Sequence, residues 1–437
     1  METRICVVGI WHLGAVTAAC LADLGYTVVG VDDDAAKVKA LNDGVPPLHE
    51  PGLEELMGRN IAAGRLRFAT DLRQGVEGAQ YVFISYDTPV DESDEVDLSP
   101  ILAAARQLAA CIEQESTLIV SSQVPVGTCE GLAGDIRCLN PQLQFGLACV
   151  PENLRLGQAL ERYRRPDMLV IGAEDGATAA RVEALFSFVD APKLITDLRT
   201  AEMTKHAINA YLATNISFIN ELANLCDRAG VDAFKVAQAL KLDGRVSAKA
   251  PLTPGLGFAG GTLARDLRAL RHLAEEAGYP GHLLRAVLSV NEQQNGVLVK
   301  KLGRALGSLA GRRIGVLGLT YKPGTSTLRR SASLEVIQAA IAAGATVAAH
   351  DPKADPSEIS QHGEFAFFKE PHEAARGADA IVLMTAWPEF RQLDFRQMLA
   401  VMRGDVLVDG QNLLEPEAMV RLGFRYVGMG RGGEPTP

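Results

Sequence analysis

Arg4-Ile5-Cys6-Val7-Val8-Gly9-Ile10-Trp11-His12-Leu13-Gly14 is the stretch on which the architecture turns. Its first five residues form a short β-type run that breaks at Gly9. A helical pattern follows, with Val16, Ala19, Cys20, Ala22 and Leu24 on the apolar side. A second β-type run, Thr27 to Val31, ends in Asp32, 23 residues after Gly9. Strand, glycine turn, helix, strand and terminal acid make the βαβ unit that binds a dinucleotide. The turn and the helix start, with Leu13 and Gly14, receive the pyrophosphate, and the acid takes the adenosine ribose hydroxyls. An acid there favours NAD over NADP. Trp11 stands where the second glycine of the fingerprint belongs, so its side chain must either displace the dinucleotide or point aside.

Further strands recur at the spacing of an α/β protein: Tyr81 to Ser85, Thr117 to Ser121, and Leu147 to Val150. The segment Thr200 to Cys226 has apolar residues on nearly every face and no internal Gly or Pro, which predicts a long helix buried all round. On it, Lys205 and Asn209 are four residues apart and share a face. After a helical run from Gly281 to Leu306, Gly311-Arg312-Arg313 leads into a new strand and a second Rossmann-like pattern. The expected organisation is α/β: doubly wound, Rossmann-like domains at 1–198 and 309–437, joined by a long central helix and a small all-helical middle domain at 199–308.

The chain has 437 residues, a net charge of −10 spread along its length, and no apolar run long enough to span a bilayer. That balance argues against broad nucleic-acid binding and against a membrane partner. No signal-peptide layout precedes the first strand, so a cytoplasmic location is expected. The seven cysteines are odd in number, show no CxxC spacing and have no histidine cluster beside them. Most sit inside apolar runs and read as small core residues, and no metal site is expected.

Gly255-Leu256-Gly257-Phe258-Ala259-Gly260-Gly261-Thr262-Leu263-Ala264-Arg265-Asp266 cannot lie inside a helix or strand, because glycine loses too much backbone freedom there. It reads as a loop laid against a ligand, with an amphipathic helix opening at Arg265 and Asp266. Beside Glu50-Pro51-Gly52-Leu53, Ser122-Gln123-Val124-Pro125-Val126-Gly127-Thr128, Pro151-Glu152-Asn153-Leu154-Arg155-Leu156-Gly157 and Tyr321-Lys322-Pro323-Gly324-Thr325, this loop resembles the UDP-glucose/GDP-mannose dehydrogenase family, the nucleotide-sugar 6-dehydrogenases. The resemblance covers essentially the whole chain. In the family the loop carries Gly-x-Gly-Phe-Gly-Gly-Ser-Cys, two residues, then Lys-Asp. Here Thr262 stands at the cysteine and Arg265 at the lysine.

The resemblance implies site residues position by position. Glu152, Lys205, Asn209, Thr262 and Asp266 fall at the chemistry, with Asp266 at the aspartate that holds the catalytic water. The sugar nucleotide is met by Glu152, Leu154, Lys205, Asn209, Gly257, Phe258, Gly261 and Lys322, and by Arg245 reaching into a partner subunit. The NAD set is Gly9, Trp11, Leu13, Gly14, Asp32, Lys37, Thr88, Gln123 and Arg329; Arg329, with Lys322, also matches phosphate or sugar ligands. Thr88-Pro89 matches a loop beside the cofactor whose preceding residue is small; here it is Asp87, which reads as a solvated turn aspartate. Leu156 replaces a second glutamate and Gln123 a threonine. A homodimer through the helix 200–229 is implied.

In the family, hydride leaves C6 to NAD, the cysteine captures the aldehyde, a second hydride leaves, and the thioester is hydrolysed. Without the thiol four outcomes stay open: full oxidation by direct aldehyde hydration, a stop at the 6-aldehyde, transient oxidation that inverts C5, or an inactive nucleotide-sugar-binding homologue. Oxidation at C6 of a nucleotide sugar, with UDP favoured, is the expected activity.

Overall fold

The computed structural model describes residues 3–88, 96–362 and 365–432. The chain folds as two compact units, Met1–Ala207 and Ile208–Pro437. Each is built on a sheet whose strands are apolar along most of their length, as strands covered on both faces must be.

The first sheet holds β1 (Arg4–Val8), β2 (Thr27–Val31), β3 (Leu66–Ala69), β4 (Tyr81–Ile84), β5 (Thr117–Val120), β6 (Gly146–Cys149), β7 (Leu169–Ala173) and β8 (Lys193–Thr196), in the order 3-2-1-4-5-6-7-8. The first six run parallel in doubly wound order. β7 turns antiparallel to β6, and β8 runs parallel to β7. Alternation along the strands feeds two cores. Ile5, Val7, Phe83 and Ile119 face one, and Cys6, Val8, Val82, Ile84 and Leu118 face the other.

The turn after β1 decides the geometry of this unit. Gly9 has a φ of +88°, and a Cβ on Gly14 would lie 2.0 Å from the Gly9 carbonyl oxygen. Only glycine at both places lets the helix His12–Asp23 start against the strand end.

The second unit repeats the plan. β9 (Arg313–Leu317), β10 (Thr346–His350), β11 (Ala366–Phe367), β12 (Ala380–Leu383), β13 (Val406–Asp409) and β14 (Arg425–Gly428) are all parallel, in the order 11-10-9-12-13-14. Helices Ala233–Leu242, Thr262–Glu276 and His282–Leu306 belong to the same unit. Two Rossmann-like sheets and a long central helix are therefore present.

Two expectations change. The long helix runs Leu198–Ala229 and is not buried all round: Tyr211, Phe218 and Leu225 are 63%, 51% and 56% exposed. Apolar character marks an interface as readily as a core. The helix expected to open at Arg265 opens at Thr262, with Gly261 as its cap, so Thr262 is its first residue. As expected, most of the cysteines are core residues: five are buried, Cys111 is half-buried and Cys138 is exposed. No helix among the described residues is long and apolar enough to cross a membrane.

Candidate active site

In the first unit the site begins at the end of β2. Asp32 is 8% exposed. Its carboxylate accepts the Ile10 amide at 3.0 Å, across the glycine turn, and the Asp34 amide at 3.2 Å. Lys37 Nζ donates to both oxygens, at 2.9 and 3.0 Å. The Trp11 indole lies beside that ammonium, 5.8 Å from it to the ring centroid. Trp11 therefore points toward the Asp32–Lys37 pair. His12, at the next position, bonds Glu50 at 3.0 Å, and Glu50 in turn accepts the amides of Gly157 and Ala159. This gives the buried glutamate of Glu50-Pro51-Gly52-Leu53 a role in tying two loops to the cofactor turn.

Asp87 is exposed, as a solvated turn residue would be, and it also has a partner in the fold. Its Oδ2 accepts the Leu13 amide, in the first turn of the first helix, at 3.3 Å. Beside it Thr88 is buried and donates its hydroxyl to the Gln123 carbonyl at 3.1 Å, which brings the two expected cofactor residues together. Pro89 lies outside the described residues.

At the far edge of this unit, Glu152 accepts the Leu154 amide at 2.5 Å and faces Lys205 Nζ at 3.8 Å. Lys205 also reaches Asn153 Oδ1 at 3.4 Å. A lysine only 8% exposed thus gains a carboxylate and an amide oxygen, which offset its burial.

In the second unit, Asp266 is fully buried and accepts a hydrogen bond from the Asn209 amide, while Arg265 Nε lies 3.4 Å from its other oxygen. The loop that leads to it is clamped by amides. Asn220 accepts from the Gly255 amide at 2.9 Å and donates to the Leu256 carbonyl at 2.9 Å. Gln294 donates to the Gly255 carbonyl, and Asn291 bonds both the amide and the carbonyl of Phe258. Sequence reading missed this clamp. Its signal was polar side chains within otherwise apolar helix faces: Asn220 is 1% exposed and Gln294 fully buried.

The clamped loop lines a cavity of about 280 Å³ with Phe258, Gly257, Thr320, Tyr321, Ser331 and Gln411. The Tyr321 ring lies 3.1 Å from where a Gly260 Cβ would stand. Lys322 Nζ sits 5.6 Å from the same ring's centroid. Thr262 and Arg329 are exposed, and Gly261 is half-buried. Arg245 is not drawn into either cluster; its guanidinium pairs with Asp243 of its own turn at 2.7 Å. No cluster of three or more potential metal ligands occurs among the described residues.

Three family models match along the chain: the NAD binding domain of the UDP-glucose/GDP-mannose dehydrogenase family over residues 3–190, its central domain over 199–293 and its UDP binding domain over 315–416. The chain belongs to the UDP-glucose/GDP-mannose dehydrogenase family. A UDP-glucose 6-dehydrogenase of Pseudomonas aeruginosa is 39% identical over 98% of this chain and 97% of its own. The structure of a UDP-glucose dehydrogenase from Pyrobaculum islandicum matches with a TM-score of 0.89 and 36% identity, covering 98% of both chains. A UDP-D-ManNAc dehydrogenase from Pyrococcus horikoshii matches with a TM-score of 0.87 and 28% identity, over 98% of this chain and 100% of that one.

As a family member the chain is an NAD-dependent oxidoreductase of the nucleotide-sugar dehydrogenase type. Its first unit fits the cofactor. Asp32 and Lys37 offer an acceptor and a donor to a ribose diol, and the Gly9–Gly14 turn delivers the first amides of a helix to a pyrophosphate. The two residues out of keeping with that fit are Trp11, whose ring lies beside Lys37, and Asp87, which sits on one of those amides.

Proposed function

We propose that this chain oxidises the C6 hydroxymethyl group of a UDP-sugar and releases the 6-aldehyde. Thr262 carries the reading: it is the first residue of the helix that also bears Asp266, at the position the family resemblance assigns to a thiol. The UDP binding domain and the similarity to UDP-sugar dehydrogenases favour a UDP-sugar.

NAD, when held in the first unit, would supply the acceptor for the hydride that leaves C6. The hydroxyl proton passes through a water to Asp266 as the C6–O bond becomes double, and the Asn209 amide holds that carboxylate in place. Lys205, held beside Glu152 and Asn153, stabilises the developing negative charge on the sugar oxygen. The family resemblance assigns the sugar to Leu154, Gly257, Phe258 and Gly261, and the phosphates to Lys322 and Arg329. Asp32, Lys37, Thr88, Gln123 and the Gly9–Gly14 turn hold the cofactor. A second oxidation needs a nucleophile on the aldehyde carbon. A threonine hydroxyl stays protonated at neutral pH, and no histidine neighbours Thr262 in the chain to activate it.

The same reading makes the protein a homodimer through the helix 200–229. Tyr211, Phe218 and Leu225 recur every seven residues and form one exposed apolar stripe, which suits a second copy of the helix. Arg245, 89% exposed at its side chain, would then serve the partner's substrate. A second reading, a protein that recognises a nucleotide sugar without oxidising it, is favoured by Trp11 and Asp87 at the cofactor turn.

The test is Thr262→Cys, assayed on UDP-glucose and other UDP-sugars. Uronate made by the variant and only aldehyde by the natural protein is the expected result. Uronate from both removes the aldehyde stop, and no NADH from the natural protein on any sugar favours the second reading.

A further inference from the structure

The first amides of a helix have no partner within it, and an anion placed there gains hydrogen bonds and a favourable helix dipole. Helix His12–Asp23 has no acidic residue in its own first turn, and its cap residue, Trp11, makes no side-chain bond. The anion it has recruited is Asp87, 74 residues away in the chain, whose Oδ2 accepts the Leu13 amide. In a glycine-turn βαβ unit the dinucleotide pyrophosphate binds to these same amides. A carboxylate and a pyrophosphate cannot share them: both need the donor, and like charges in contact repel.

We propose that Asp87 is an internal competitor of the cofactor's pyrophosphate, which must leave the Leu13 amide before NAD is seated and so sets the affinity of this chain for NAD. Asp87 is exposed, so its side chain has room to swing away. Thr88 beside it is buried and bonded to the Gln123 carbonyl, so the displacement is confined to the Asp87 side chain. The adenosine end is built differently. There Asp32 bonds Lys37 and the amides of Ile10 and Asp34, not that of Leu13, so the penalty falls on the phosphates and spares the nucleoside. The inference rests on the NAD-binding domain and is independent of what becomes of the sugar.

Binding without any sugar present tests it. NAD, ADP-ribose and adenosine are titrated into the natural chain, Asp87→Asn, Asp87→Ser and Asp87→Glu, by calorimetry and by tryptophan fluorescence. Trp11 beside the turn is exposed, and Trp387, the second of two tryptophans, is buried in the other unit. Asparagine keeps an acceptor of the same reach without the charge, and serine removes the charge and shortens the side chain, so two independent variants guard against a folding defect in either. The expected result is about tenfold tighter NAD and ADP-ribose binding in both, unchanged adenosine binding, and no gain for the glutamate variant. Raising the salt concentration narrows the difference between natural and neutral forms. Unchanged or weaker NAD binding in the neutral variants, an equal gain for adenosine, or no NAD binding by any form overturns the proposal.

Discussion

The two Rossmann-like sheets carry the same device at the same place. Gly9 follows β1 with a φ of +88° and donates its amide to Val31 of β2; Gly318 follows β9 with a φ of +97° and donates to His350 of β10. In each, the next residue after the second strand is an aspartate that reaches back across the turn. The partners differ. Asp32 holds two amides and a lysine. Asp351 accepts from the amides of Leu319, Thr320, Lys353 and Ala354, from the Thr320 hydroxyl and from the Trp387 indole N–H. One acid keeps a partly exposed side-chain cation, Lys37, as its partner. The other is consumed by its own fold. A shared motif therefore marks ancestry of shape, and the company its acid keeps decides whether it binds anything.

Removing the two acids should separate these roles. Asp351→Ala leaves several buried donors without an acceptor and is expected to lower unfolding free energy by about 4 kcal/mol in urea denaturation. Asp32→Ala is expected to cost the fold about 1 kcal/mol while weakening NAD binding tenfold or more by calorimetry. Equal stability losses, or NAD binding indifferent to Asp32, would break the comparison.

The smallest effect lies one residue earlier, where β2 ends in Val31 and β10 in His350. Burial lowers the His350 imidazole below its ordinary value of 6.5, outweighing the Phe368 carbonyl and the charges of Asp351 and Glu370, which raise it. Below pH 6.5 the unfolded chain takes up a proton that the folded one declines. This contribution is complete above 6.5 and is lost as pH falls through that value toward the lowered folded one. His350→Val, copying the first unit, should flatten the fall in thermal stability below pH 6.5; an unaltered pH profile would mean that this imidazole is not the sensor.

Much of this was legible in the chain. Gly9 to Asp32 announces a βαβ unit because its turn tolerates only certain residues at fixed offsets, and Gly255 to Asp266 announces a ligand loop for the same reason. What escaped reading depends on contacts distant in sequence. Asp87 looks like a turn residue until the fold brings Leu13 to it. Asn220, Asn291 and Gln294 look like helix surface until the loop folds over them. Tyr211, Phe218 and Leu225 carry the same apolar signal as core residues, and only exposure separates them. The reversal of β7 against β6 has no periodicity of its own, because strands of either direction alternate alike.

The most direct test of the account is the NADH formed per UDP-sugar consumed by the natural protein, with the product trapped and identified. One NADH per sugar, with a trapped 6-aldehyde, is what Thr262 in place of a thiol predicts. Two NADH per sugar and a uronate would contradict it and mean that the aldehyde is hydrated and oxidised without a covalent intermediate. A changed sugar with no net NADH would contradict it in the other direction, as transient oxidation with inversion at C5.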